Sequence, residues 1–215
     1  MNIVKFDIEV KINYRRLQHR IMQSNSQVPD WLDSMIKQAL KECTPLPRAV
    51  YSFFPCSVDN TKNEIIIENK QFCSEFLFKR FKNARELGLF IATIGNDSGE
   101  RSRKAAKEKD GLMALIYDSI GSEYAESTAN AIHKIIEEEK GYCMNRYSPG
   151  YNDWHISEQK YIFDLIDGSK IGVKLNESFL MTPEKSVSAM IGYSDKIEQK
   201  SCKDCKNKNC VYRGL

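Results

Sequence analysis

The 215-residue sequence has no apolar run near the roughly 18–20 residues that a membrane-spanning helix needs. Met1 to Asp7 place charges where a secretory signal requires its apolar stretch. These absences predict a cytoplasmic protein with no membrane partner. No Gly-x-Gly-x-x-Gly follows a strand, and no glycine-rich loop ends in Gly-Lys-Ser/Thr, so the common nucleotide cradles are excluded. The Gly-x-Ser-x-Gly nucleophile elbow is missing as well. Histidine is scarce, and His19, His133 and His155 are scattered. An excess of one charge is also lacking: 32 Lys and Arg against 29 Asp and Glu leave a net charge of +3 with both signs mixed, so nucleic acid is not the expected partner. The seven cysteines are an odd number and three fall in the last fourteen residues, which fits reduced thiols better than a secreted disulfide framework.

What is present reads as a globular protein. Hydrophobic residues make up 41% and charged residues 28%, enough apolar content for one substantial core or two small ones. Residues 2–12 suggest an opening strand, followed by a basic patch at Arg15, Arg16, His19 and Arg20. Pro29-Asp30 starts a helix whose Leu32, Met35, Ile36, Ala39, Leu40 and Cys43 share a face. Strands are expected at 49–58 and 64–68, and Ser74 is placed to cap a helix burying Phe76, Leu77, Phe81 and Ala84. Leu89 to Ile94 is a continuous apolar run ended by Gly95, the pattern of a buried central strand. Residues 96–110 read as a charged loop running into a helix start. The helical period is strong from Leu112 to Ile136, with Gly121-Ser122 as a candidate break, and His133 reads as a partly exposed structural histidine. Ser157 is a candidate cap for a further helix, and 170–175 and 186–193 are strand candidates. Strands and helices without strict alternation predict an α+β fold with an at least partly antiparallel sheet. The expected organisation is one domain over 1–195 and a cysteine-rich tail over 196–215.

Three constellations carry chemistry. Residues 141–155 put an arginine, three tyrosines, a Pro-Gly turn and a tryptophan into a segment with neither helical nor strand period. A guanidinium forks onto a carboxylate or phosphate, aromatic rings give flat surfaces, and glycine admits a close backbone approach. The plainer reading is a surface turn. Glu126 is the second: with Ala125 and Ala129 beside it, something can approach the carboxylate, although on these residues alone a solvated helix-face glutamate is the better reading. The third is Cys202-x2-Cys205-x4-Cys210, spaced for a soft metal such as zinc or for an iron–sulfur centre, with Cys143, a histidine, water or a partner's group as the missing ligand.

Arg146-Tyr-Ser-Pro-Gly-Tyr151 resembles the Arg-x-x-x-Gly-Tyr signature of the activation (reactivation) domain of cobalamin-dependent methionine synthase. Ala125-Glu126 with His133 resembles the helix before that signature. Lys174-Leu-Asn-Glu-Ser-Phe-Leu-Met181 with Pro183 and Ser186-Val-Ser188 resembles a later block of the same family. The resemblance implies a C-shaped α+β fold with a twisted antiparallel sheet and flanking helices, holding S-adenosylmethionine (AdoMet). It implies that Arg146 grips the methionine carboxylate, that backbone at Ser148 and Gly150 meets the adenine, that Tyr151 lies beside the ligand and that Glu126 binds its polar part. The implied partner is the cobalamin-binding module of methionine synthase, with flavodoxin or ferredoxin as electron donor. With no methyltransferase or cobalamin-binding region in the sequence, a free-standing activation subunit is expected. A reactivator of another corrinoid methyltransferase, or a non-catalytic metal or corrinoid-protein interaction module, is the alternative. The family's N-terminal acidic ligand has Asp7, Asp30 and Asp33 as candidates, and its later tyrosine has Tyr193.

Overall fold

The computed structural model describes residues 2–24, 27–141 and 143–193. A seven-stranded sheet runs in the order β4 (Lys70–Cys73), β3 (Glu64–Ile67), β2 (Arg48–Asp59), β5 (Glu86–Thr93), β9 (Ser186–Tyr193) and β6 (Cys143–Tyr147), with β1 (Ile3–Lys5) also pairing β2. Every pairing in it is antiparallel. The 12-residue β2 is the spine: its first half holds β1 and its second half β3 along one edge, while β5 pairs the other.

Alternation along the central strands sends neighbouring residues into two different cores, which is why the apolar run at 89–94 is unbroken. Val50, Leu89, Ile91 and Met190 enter one core with Phe72, Phe81, Trp154 and Ile162. Tyr51, Phe90, Ala92 and Ile191 enter the other, where Ala129, Ile132 and Ile136 of α5 (Gly111–Lys140) cover them. A third core holds the helices together: Leu17 and Ile21 of α1 (Tyr14–Met22), Leu32, Ile36 and Ala39 of α2 (Asp30–Glu42), Ala105 of α4 (Asp97–Lys107), and Ile116 and Ile120 of α5. Among the described residues no helix is long and apolar enough to cross a membrane.

Several boundaries differ from the expectations for physical reasons. The opening strand stops at Lys5, since Asp7 takes a positive φ of 49°. The basic stretch at 15–20 is helix α1, and its Arg16 and Arg20 turn inward onto Glu123. Residues 97–107 are helix rather than loop. Their buried residues include Ser98, Gly99 and Ala105, too small to register as an apolar stripe. α5 runs unbroken through Gly121; a Cβ there would lie 2.3 Å from Ser98 Oγ, so the glycine lets α4 pack closely on α5. The helix α6 (Gln159–Leu165) is preceded by a 3-10 turn at Ile156–Glu158, capped by His155 rather than by Ser157. Residues 168–171 form another 3-10 turn ended by Gly172 at φ 76°, so that strand β7 is only Lys174–Leu175, paired with β8 (Met181–Thr182). The expected helix after Ser74 is α3 (Glu75–Phe81), and Ser74 caps it by accepting from Leu77 N–H.

Candidate functional site

The loop at 141–155 opens as a strand. β6 pairs with β9, joining Arg146 to Ile191 and Tyr147 to Met190, with a register shift between Cys143 and Arg146. The shift places Arg146 on the side of α5. There Nη1 donates to Asn130 Oδ1 at 2.9 Å and Nη2 donates to Glu126 Oε1 in an ion pair. Asn130 and Glu126 are one helical turn apart and therefore share a face. Burial pulls the Arg146 guanidinium below its ordinary value, with a smaller push the same way from Arg16, while the Glu126 carboxylate pulls it up.

After Tyr147 the chain turns sharply. Tyr151 N–H donates to Ser148 O, Trp154 N–H donates to Tyr151 O, and Gly150 N–H donates to Trp154 O at 2.7 Å. Gly150 sits at φ 90°, a conformation that a side chain disfavours. Two anchors fix the turn. Trp154 is fully buried and donates from Nε1 to Glu158 Oε2 at 3.0 Å. Asp153 accepts from Ser74 Oγ at 2.8 Å and from the backbone N–H groups of Glu75 and Phe76 at the start of α3. Tyr147, Tyr151 and Phe76 form an aromatic corner, with Phe76 4.8 Å from the Tyr147 ring and 5.4 Å from the Tyr151 ring, centre to centre.

Between this turn and α5 lies a cleft of about 960 Å³ lined by Glu126, Asn130, His133, Arg146, Tyr147 and Tyr151, among others. A second hollow of about 460 Å³ adjoins it, sharing Glu126, Ser148 and Val187 and walled by Pro149, Phe179 and Met181. Glu126 and Ser148 therefore stand where the two meet. Glu126, Arg146, Ser148 and Tyr151 come together in one cleft, while Gly150 shapes the turn beside it. Asp30 and Asp33 line a different hollow, between α1 and α2, where Asp33 accepts from Tyr14 Oη and Gln18 Nε2; neither they nor Asp7 lines the Arg146 cleft. Tyr193 sits opposite Cys143 and packs on Phe53, also outside the cleft. Asn130 and Lys134 also line the cleft without belonging to any motif, although Asn130 lies four residues after Glu126 and so on its face.

Cys202, Cys205 and Cys210 lie outside the described residues. Among the described residues, no group of three or more His, Cys, Asp or Glu side chains is arranged to hold a metal. Cys143, considered as a fourth ligand, is buried at the β6 edge and its thiol is pushed up chiefly by that burial.

The Asp153 anchor gives a testable consequence. Burial alone would raise its carboxyl, but hydrogen bonds from Ser74, Phe76 and Glu75 outweigh this and hold it below the ordinary carboxylate range. A depressed folded-state value means stability that is present above the unfolded value, about 3.9, and is lost as pH falls through the lower folded one. Asp153→Ala is expected to cost about 1–2 kcal/mol in urea unfolding, the usual loss for a helix cap. The deficit relative to wild type should narrow only at strongly acid pH. A deficit that stays constant down to acid pH contradicts this anchoring role.

Residues 68–211 match the family described as vitamin B12 dependent methionine synthase, activation domain. No curated protein matches the chain significantly. Among solved structures the chain is similar to the crystal structure of the MetH reactivation domain bound to AdoHcy. The likeness has a TM-score of 0.68 at 18% identity and covers 92% of this chain and 80% of that one. At that identity the likeness speaks for the fold: an antiparallel sheet with flanking helices, as expected from the sequence.

Proposed function

The chain belongs to the family of vitamin B12-dependent methionine synthase activation domains, and from that premise we propose that it holds AdoMet in the Arg146 cleft for a cobalamin-carrying methionine synthase. It thereby supports reductive methylation of cob(II)alamin on that partner. The observation that carries this reading is the convergence of Arg146, Glu126 and the Gly150 turn on one cleft. AdoMet ends in a zwitterionic amino acid, and the cleft offers a fixed guanidinium and a carboxylate side by side. It also offers flat aromatic surface at Tyr147 and Tyr151, and a volume of about 960 Å³, at the upper end of the roughly 300–1,000 Å³ of small-molecule sites. The related domain was crystallised with AdoHcy, the demethylated form of the same ligand.

In this reading Arg146 forks onto the ligand's carboxylate, Glu126 accepts from its ammonium, and backbone at Ser148 and Gly150 faces the adenine. Tyr151, 45% exposed, closes one side. AdoMet supplies the methyl group carried on its sulfonium. The residues lining the cleft position and shield it, and the transfer calls on none of them as a nucleophile. The chain acts as a separate activation subunit, with flavodoxin or ferredoxin supplying the electron.

The direct test combines the protein with a cobalamin-loaded methionine synthase lacking its own activation domain, a one-electron reductant and methyl-labelled AdoMet. Label is expected on the cobalamin only when this chain is present. Equal labelling without it contradicts the proposal. Labelling of a different corrinoid protein but not of methionine synthase transfers the role to that partner.

A further inference from the structure

The charge of Arg146 is already paired. Its Nη2 is committed to Glu126 Oε1 and its Nη1 to Asn130 Oδ1. The two charged partners differ in freedom: the Arg146 side chain is 17% exposed, on a paired strand, whereas Glu126 is 38% exposed. Glu126 also borders both hollows and so has room to swing aside. Asn130 is a neutral acceptor that keeps the guanidinium oriented while Glu126 moves.

A ligand carboxylate therefore competes with Glu126 for the Arg146 charge, and a displaced Glu126 loses its cation. That loss is offset when the ligand brings a cation of its own within reach of the carboxylate. An α-amino acid does so, since its ammonium and carboxylate share one carbon. Resting on the AdoMet reading and extending it, we propose that the Glu126–Arg146 pair is a latch selective for zwitterions. It opens for an adenosyl ligand bearing both charges and stays closed against one bearing either charge alone. Glu126 is thereby the specificity-determining residue of the cleft.

Calorimetric titration with three ligands tests this: AdoHcy, its deaminated analogue with the carboxylate alone, and its decarboxylated analogue with the ammonium alone. Wild type is expected to prefer AdoHcy over either analogue by about tenfold or more, the scale of one charged hydrogen bond. In Glu126→Gln, Arg146 is no longer held by an opposite charge. Binding of the deaminated analogue should strengthen by about tenfold while AdoHcy binding weakens, so that the preference collapses. A substitution that merely damages the site would weaken all three together, and that result overturns the latch. So does a wild type that binds the deaminated analogue as tightly as AdoHcy, a comparison that needs no variant. A wild type that binds none of the three overturns the AdoMet reading and the latch with it, whereas AdoHcy binding without discrimination overturns the latch alone.

Discussion

Arg146→Ala is expected to weaken AdoHcy binding roughly 10- to 150-fold, about 1.5–3 kcal/mol, as befits a lost charge-assisted contact. The fold should hardly notice. Glu126 is 38% exposed and Asn130 is exposed, so both acceptors return to water when the guanidinium goes; a partly solvated ion pair of this kind contributes about 0–1 kcal/mol. Arg146→Lys should fall between the two proteins, because an ammonium keeps the charge but cannot fork onto a carboxylate while also holding Asn130. Calorimetry measures the affinity and thermal unfolding the stability. A large stability loss with unchanged affinity would place Arg146 among the structural residues instead.

Glu123→Ala is expected to do the reverse, with a loss of stability of about 3–5 kcal/mol, the range for removing one partner of a buried ion pair. Glu123 has no exposed side-chain surface. It accepts from Arg16 Nε at 2.8 Å and Nη2 at 2.6 Å, from Arg20 Nε at 3.3 Å, from Asn13 N–H at 3.2 Å and from Ser127 Oγ at 3.2 Å. Deleting it strips the carboxylate from two guanidiniums whose side chains are only 18% and 26% exposed. Against the 5–15 kcal/mol of a typical domain this is a large fraction. Guanidinium chloride unfolding gives the number, and a loss below about 1 kcal/mol would show that the network contributes little, as a surface pair would.

The contrast between these two glutamates marks what the sequence could convey. Glu123 and Glu126 sit on one helix with similar neighbours, yet one is fully buried and one half-exposed. The difference comes from Arg16, 107 positions away in the chain, which no local pattern encodes. Where burial is periodic, the sequence pattern and the elements agree. β9 at Ser186–Tyr193 has the bounds expected for it, and the apolar run that begins at Leu89 is strand β5 as far as Thr93, paired on both sides. Where packing relies on small residues, as at Ser98, Gly99 and Gly121 between α4 and α5, the pattern carried no apolar signal, and a helix read as a loop. β6 was hidden for another reason: its register shift breaks the alternation, and Asn145 and Arg146 face a cleft rather than a core. The residues of the site were legible individually, through the arginine, the Pro-Gly turn and the family resemblance. Their closure onto Glu126, with Arg146 already paired, was visible only in three dimensions.

The measurement that bears most directly on the central claim is titration of AdoHcy into the wild-type protein, alone and with a cobalamin-loaded partner. Saturable one-to-one binding, competed by AdoMet, is the predicted result. No binding under either condition would contradict the account, leaving an activation-domain fold whose Arg146–Glu126 cleft does not hold the ligand.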